Sequence, residues 1–147
     1  MSRDSFLEAA IAEARQSLAE GGIPIGAVLV HEGRIIGRGR NCRVQTGSPV
    51  DHGEMNCLRN AGRLPARVYR NSTMYSTLSP CPMCSGAILL YRIPRVVAGE
   101  NRTFQGAEEY LKANGISVDV VQDPECIALM TEFIRDHPEL WREDIGV

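Results

Sequence analysis

A short run rich in Thr and Tyr, Thr73 to Leu78, leads directly into Ser79-Pro80-Cys81-Pro82-Met83-Cys84, and the chain continues as an apolar stretch to Tyr91. The spacing predicts a strand that stops sharply and a helix that starts at once. Ser79 is a residue type suited to a helix N-cap, and Pro80 and Pro82 carry the fixed φ of a first helical turn. Cys81 and Cys84 stand three apart, so their sulfurs leave the same helix face. The positive helix end favours thiolates there. Two thiolates on one turn make half of a tetrahedral zinc site. The fold has to bring the remaining ligands to this helix mouth.

Three histidines are available to do so. His31, in the turn His31-Glu32-Gly33, and His137, before Pro138, read as surface residues. His52 lies in Asp51-His52-Gly53-Glu54, after the loop Thr46-Gly47-Ser48-Pro49, at the mouth of a second helix. One imidazole and two thiolates leave a fourth position for water, as catalytic rather than structural zinc sites do. Glu54, two residues on, is placed to carry protons beside that water.

The rest of the chain reads as a single domain over residues 1–147, with no repeat, low-complexity tract or linker. Ser5 to Ala19 has helical spacing and stops at Glu20-Gly21-Gly22. Ile25–Val30 and Arg34–Gly39 form a hairpin about the turn at Glu32. Asn41–Pro49 is a loop, His52–Gly62 a helix and Leu64–Ser72 a connection. Beyond the cysteine turn come a strand at Arg95–Gly99, a helix at Gly106–Asn114, a strand at Ile116–Val121 and an amphipathic helix at Pro124–Asp136. The tail Pro138–Val147 carries the one tryptophan. A hairpin followed by alternating helix and strand predicts an α/β fold, a mixed five-stranded sheet with helices on both faces in three layers. Ligands in such sheets collect at strand ends where helices begin, which is where both ligand-bearing segments fall.

Composition narrows the class. The formal net charge is -2 and the basic residues are scattered, which argues against a nucleic-acid-binding face. No apolar run is long enough to span a bilayer, and the polar start is not a leader peptide. Five cysteines, an odd number, point to reduced thiols in a cytoplasmic setting and to metal or catalysis rather than a disulfide frame.

The constellation is His52-x-Glu54 followed, after about a helix and a strand, by Pro80-Cys81-x-x-Cys84. It is identified as the signature of zinc-dependent nucleobase deaminases. Zinc lowers the pKa of its water to ~7, making hydroxide available at neutral pH, and a carboxylate that is not a ligand passes protons to the ring and the leaving amine. A thioredoxin-like redox pair leaves His52 and Glu54 unexplained. A non-catalytic zinc module needs a fourth ligand from Cys42, Cys57 or Cys126, which read instead as small apolar residues of the interior.

Over nearly its whole length the chain resembles the cytosine deaminases of fungal type within the cytidine deaminase-like superfamily. The likeness runs through Gly21-Gly22-Ile23-Pro24-Ile25-Gly26, Gly37-Arg38-Gly39-Arg40-Asn41, His52-Gly53-Glu54, Asn60-Ala61-Gly62-Arg63-Leu64, Thr77-Leu78-Ser79-Pro80-Cys81, Ile93-Pro94-Arg95 and Trp141-Arg142-Glu143-Asp144-Ile145-Gly146. The resemblance implies one zinc per chain, with a bound water or hydroxide, held by His52, Cys81 and Cys84, and Glu54 as proton shuttle. It implies that Asn41 and the Gly53 amide bond the base and that Asp144 bonds the ring edge. Phe104 and Trp141 would be aromatic walls, Ile25 and Leu78 the pocket floor, and the enzyme a homodimer acting on a small free base.

Two departures bear on specificity. Asp51 precedes His52, where it would orient the imidazole or cap the helix. Arg142 stands where the fungal type has an aromatic residue. The expected reaction is cytosine, or an analogue such as 5-methylcytosine or 5-fluorocytosine, plus water to uracil or its analogue plus ammonia. The alternatives are another aminated ring (isocytosine, a guanine-type base or a nucleoside) and, against the charge balance, adenosine in tRNA.

Overall fold

The computed structural model describes residues 3–147. α1 (Ser5–Ala19) starts on Asp4, whose carboxylate accepts from the Phe6 and Leu7 amides, and it buries Leu7, Ala10, Ile11 and Ala14. β1 (Gly26–His31) and β2 (Arg34–Arg40) form the expected antiparallel hairpin. Its two turn residues, Glu32 and Gly33, both have positive φ, as a two-residue turn matched to strand twist requires. There follow α2 (Arg43–Thr46), α3 (Gly53–Ala61), α4 (Ala66–Arg70), β3 (Ser72–Ser76) and α5 (Pro82–Leu90). β4 (Arg95–Ala98), α6 (Glu108–Ala113), β5 (Ser117–Val120), α7 (Pro124–Asp136) and α8 (Pro138–Asp144) complete the chain.

The five strands lie in the order β2-β1-β3-β4-β5. β1 runs antiparallel to both its neighbours, while β3, β4 and β5 are parallel. Parallel neighbours need a crossover, and α5 and α6 supply the two. Alternation along β1 sends Ala27 and Leu29 to one face and Val28 and Val30 to the other. The first face packs on Cys57 of α3, Ile88 of α5 and Leu111 of α6. The second packs on Leu7 and Ile11 of α1 and Cys126 of α7. This is the three-layer mixed sheet that the element order predicts.

Two details set the depth of the site. A Cβ at Gly39 would come within 2.2 Å of the Cys57 amide nitrogen, so only glycine there lets α3 lie directly against β2. A third apolar cluster joins Ile23, Ile25 and Leu78 at the strand ends to Met130, Phe133 and Trp141 of α7 and α8.

The tail is helical: Pro138 opens α8, and Trp141 packs against Met130 and Phe133 of α7. α2 and α4 are single turns inside segments read as loop and connection, too short to show a period. The N-cap of α5 is Cys81, not Ser79: the Cys81 sulfur accepts from the Cys84 amide at 3.5 Å.

Candidate active site

Two helix N-termini meet. His52 is the N-cap residue of α3, with extended backbone, and Cys81 holds the same position on α5. Nδ1 of His52 lies 3.5 Å from the Cys81 sulfur and 3.8 Å from the Cys84 sulfur. One ligand atom from each of the three residues falls within a 4.8 Å cluster, the one such group among the described residues. Soft thiolates with one imidazole are the donor set zinc prefers, and the residues present fit it.

Neighbouring groups set which of the three donors keeps a proton. A hydrogen bond from Cys84 holds the Cys81 thiol down at about 4, against burial. Sharing with Cys81 and burial push the Cys84 thiol up. Burial opposes a proton on His52, but the Cys81 sulfur, Asp144 and Glu54 outweigh it and raise the imidazole to about 9. The Cys81 thiolate and the carboxyl groups of Glu54 and Asp144 thus crowd one pocket, where a divalent cation would ease their repulsion.

Glu54 is buried in the first turn of α3 and outside the ligand cluster. Burial lifts its carboxyl to about 7, the Cys81 charge adds to that, and His52 opposes it. A group that exchanges a proton near neutrality is matched to general acid–base work. Gly53, the first residue of the helix, leaves an amide without an intrahelical acceptor.

The pocket above these groups is floored by Ile25 and Leu78 and walled by Phe104 and Trp141. The two aromatic rings meet edge to face, 5.6 Å between centroids at 86°. Asp144 and Ile145, from the end of α8, close the top, and Ser79 completes the side wall. The pocket is narrow and partly open to solvent, with about 10 Å³ free inside it, room for about one water between its present walls. Ile145 and Ser79 also line the pocket, where sequence reasoning gave Ser79 only a capping role and Ile145 none; their place beside Asp144 and Cys81 is the signal that could have found them.

Asn41 reaches the site through Asp144. Its Nδ2 donates to Asp144 Oδ1 at 2.9 Å, while its Oδ1 accepts from the Arg43 amide at 3.0 Å. Its backbone is held by Ile25, and the Ser17 hydroxyl donates to its carbonyl. The expectation for Asp51 is corrected. Its carboxylate accepts from Arg59, Asn56 and the Thr46 hydroxyl, not from His52, whose nitrogens face the sulfurs and Asp144. Nor does it cap α3, where no side-chain cap bond forms. Its backbone turns it away from the imidazole, and it rivets the α2 segment to α3.

A metal-ligand triad with a buried carboxylate beside it, in a narrow pocket lined by aromatic rings, is the equipment of a hydrolase that splits a C–N bond with water. The family model described as the cytidine and deoxycytidylate deaminase zinc-binding region matches residues 1–100. A cytosine deaminase from Candida albicans is 50% identical over 141 residues, covering 95% of this chain and 94% of that protein. A tRNA-specific adenosine deaminase from Streptococcus pyogenes is 42% identical over 106 residues, 70% of this chain and 66% of that protein. The structure of a guanine deaminase from Nitrosomonas europaea shares the fold, with a TM-score of 0.73 at 20% identity over 90% of this chain and 85% of that one. The chain belongs to the cytidine and deoxycytidylate deaminase family of zinc-dependent hydrolases.

Proposed function

We propose that residues 1–147 form one catalytic domain that converts free cytosine and water to uracil and ammonia. The observation that carries this reading is the roof. α8 lays Trp141 and Asp144 across the pocket, so a flat ring without a sugar or strand attached is the cargo that such an enclosure favours. The likeness to the Candida albicans cytosine deaminase supports the same ring.

His52, Cys81 and Cys84 would hold the zinc, which supplies hydroxide at neutral pH by acidifying water. Glu54 takes the water proton, delivers it to the ring nitrogen beside the amine-bearing carbon, and carries a second proton to the departing amine. The Arg43 amide occupies the Asn41 oxygen and Asp144 takes one Nδ2 hydrogen, so Asn41 offers its second Nδ2 hydrogen, with the Gly53 amide, to the carbonyl oxygen of the base. Asp144 takes the ring edge. Phe104 and Trp141 stack and exclude water, over Ile25 and Leu78. A homodimer working in cytoplasmic pyrimidine salvage is part of the same reading.

The test is ammonia release from cytosine, 5-methylcytosine, isocytosine, guanine, adenine and cytidine with zinc-loaded protein. Cytosine or its 5-substituted analogue should lead. Guanine or a nucleoside in first place would overturn the substrate and keep the zinc chemistry, the outcome that fits the guanine deaminase fold.

A further inference from the structure

Glu108 is a carboxylate only 3% exposed, no cation among the described residues pairs with it, and none of the catalytic roles falls to it. Its position explains its burial. Glu108 Oε2 accepts from the Ser79 hydroxyl at 2.6 Å, the short distance of a hydrogen bond to an ionised acceptor. Both its oxygens accept from Asn101 Nδ2, at 3.3 and 3.2 Å. Asn101 is itself held by Gln122. An acceptor-only carboxylate fixes the Ser79 proton toward itself and leaves the oxygen lone pairs free to accept. One of them takes the Gly106 amide at 2.9 Å.

These bonds join two pieces of the pocket. Ser79 begins the turn that carries Cys81 and Cys84. Asn101 and Gly106 flank Phe104 on the segment between β4 and α6, and Glu108 opens α6. The Ala107 amide donates to the Pro80 carbonyl at 3.0 Å, and a Cβ at Gly106 would lie 1.8 Å from that same oxygen, so the two segments touch backbone to backbone. Phe104, two residues before the contact, then meets Trp141 edge on.

We infer that Glu108, acting through Ser79, is a positioning residue that locks the Phe104 wall to the thiolate turn and thereby sets the gap into which the ring slides. It touches neither metal nor substrate. The clamp makes a wall from one crossover and a metal turn from another behave as one rigid part, and its loss lets Phe104 and Trp141 part while the ligand set stays intact.

The kinetic arm of the test rests on the free-base reading; the optical arm does not. Trp141 is the only tryptophan, so its emission and its quenching by acrylamide report the wall directly, with no substrate present. In zinc-loaded Glu108→Ala and Ser79→Ala proteins, KM for cytosine should rise about tenfold with a smaller change in kcat, the scale of one lost bond to a charged acceptor. Quenching of Trp141 should increase, and zinc should stay at one per chain. Glu108→Gln, which can still accept from Ser79, should restore both readouts. Unchanged KM and quenching in Glu108→Ala overturns the proposal, and so does a KM that rises only with loss of zinc. If Glu108→Ala does not fold, Ser79→Ala removes the same bond and decides by the same readouts. A protein inert toward cytosine but showing the quenching response would sink the free-base reading and leave the clamp standing.

Discussion

Asp144 Oδ1 lies 3.4 Å from Nε2 of His52, joining the end of α8 to the mouth of α3. The same oxygen accepts from Asn41 Nδ2 at 2.9 Å. An imidazole gripped at Nε2 has Nδ1 aimed at the two sulfurs, so the C-terminal helix fixes the ring orientation that the metal site needs.

Asp144→Ala should therefore weaken zinc binding as well as ring binding. Removing the outer partner of a ligating histidine typically lowers metal affinity ~10–100-fold. Competition with a chromophoric chelator measures it; affinity equal to wild type would strip Asp144 of the orienting role.

Glu54→Gln keeps the shape of the side chain and removes its proton chemistry. Since Glu54 lies outside the ligand cluster, bound zinc should remain at one per chain, while kcat falls by ~10²–10⁴. Turnover retained by this variant would assign the proton transfer to another group.

Cys84 is fully buried and faces His52 across 3.8 Å. Cys84→Ala should abolish ammonia release and zinc retention together. Chelation of wild type should do the same reversibly, with activity regained on adding zinc. Activity that survived exhaustive chelation would contradict the ligand assignment.

Stability toward acid has a separate origin. Arg3 grips Asp123 through two nitrogens, both at 2.8 Å, and holds its carboxyl below the usual carboxylate range, against burial. Asp123 also caps α7, accepting from the Glu125 and Cys126 amides. A depressed folded pKa means the contribution is complete above the unfolded value and is lost as pH falls through the folded one. Asp123→Ala should cost ~1–2 kcal/mol at pH 7, read from urea midpoints. The gap to wild type should narrow as pH drops below the unfolded carboxyl value, ~3.9. A gap constant with pH would remove the charge from the explanation.

His52, Glu54, Cys81 and Cys84 were legible because helix starts announce themselves locally: the first pair are two residues apart, the second three, and each follows its own turn residues. The sheet was legible because β1 alternates and the crossovers have helical length. Trp141 and Asp144 were within reach only through family resemblance, since nothing near them in the chain points to a pocket. Ser79 and Asp51 were misjudged for one physical reason. Each was read with its sequence neighbours, as a cap, whereas the partners that fix Ser79 (Glu108) and Asp51 (Arg59) arrive from further along the chain. Single-turn helices such as α4 lack a full period, so hydrophobic spacing cannot reveal them.

β2 is one of the two outer strands of the sheet, and its second half alternates glycine with arginine: Gly37, Arg38, Gly39, Arg40. Arg38 and Arg40 lean onto Glu13 and Glu20 of the α1 segment. An outer strand offers unpaired amides and carbonyls to any extended segment that drifts against it. Here an approaching strand meets bulky, solvated guanidinium groups. The charges that fasten α1 to the sheet therefore also discourage strand-to-strand fibrillation of a protein whose edge would otherwise be open.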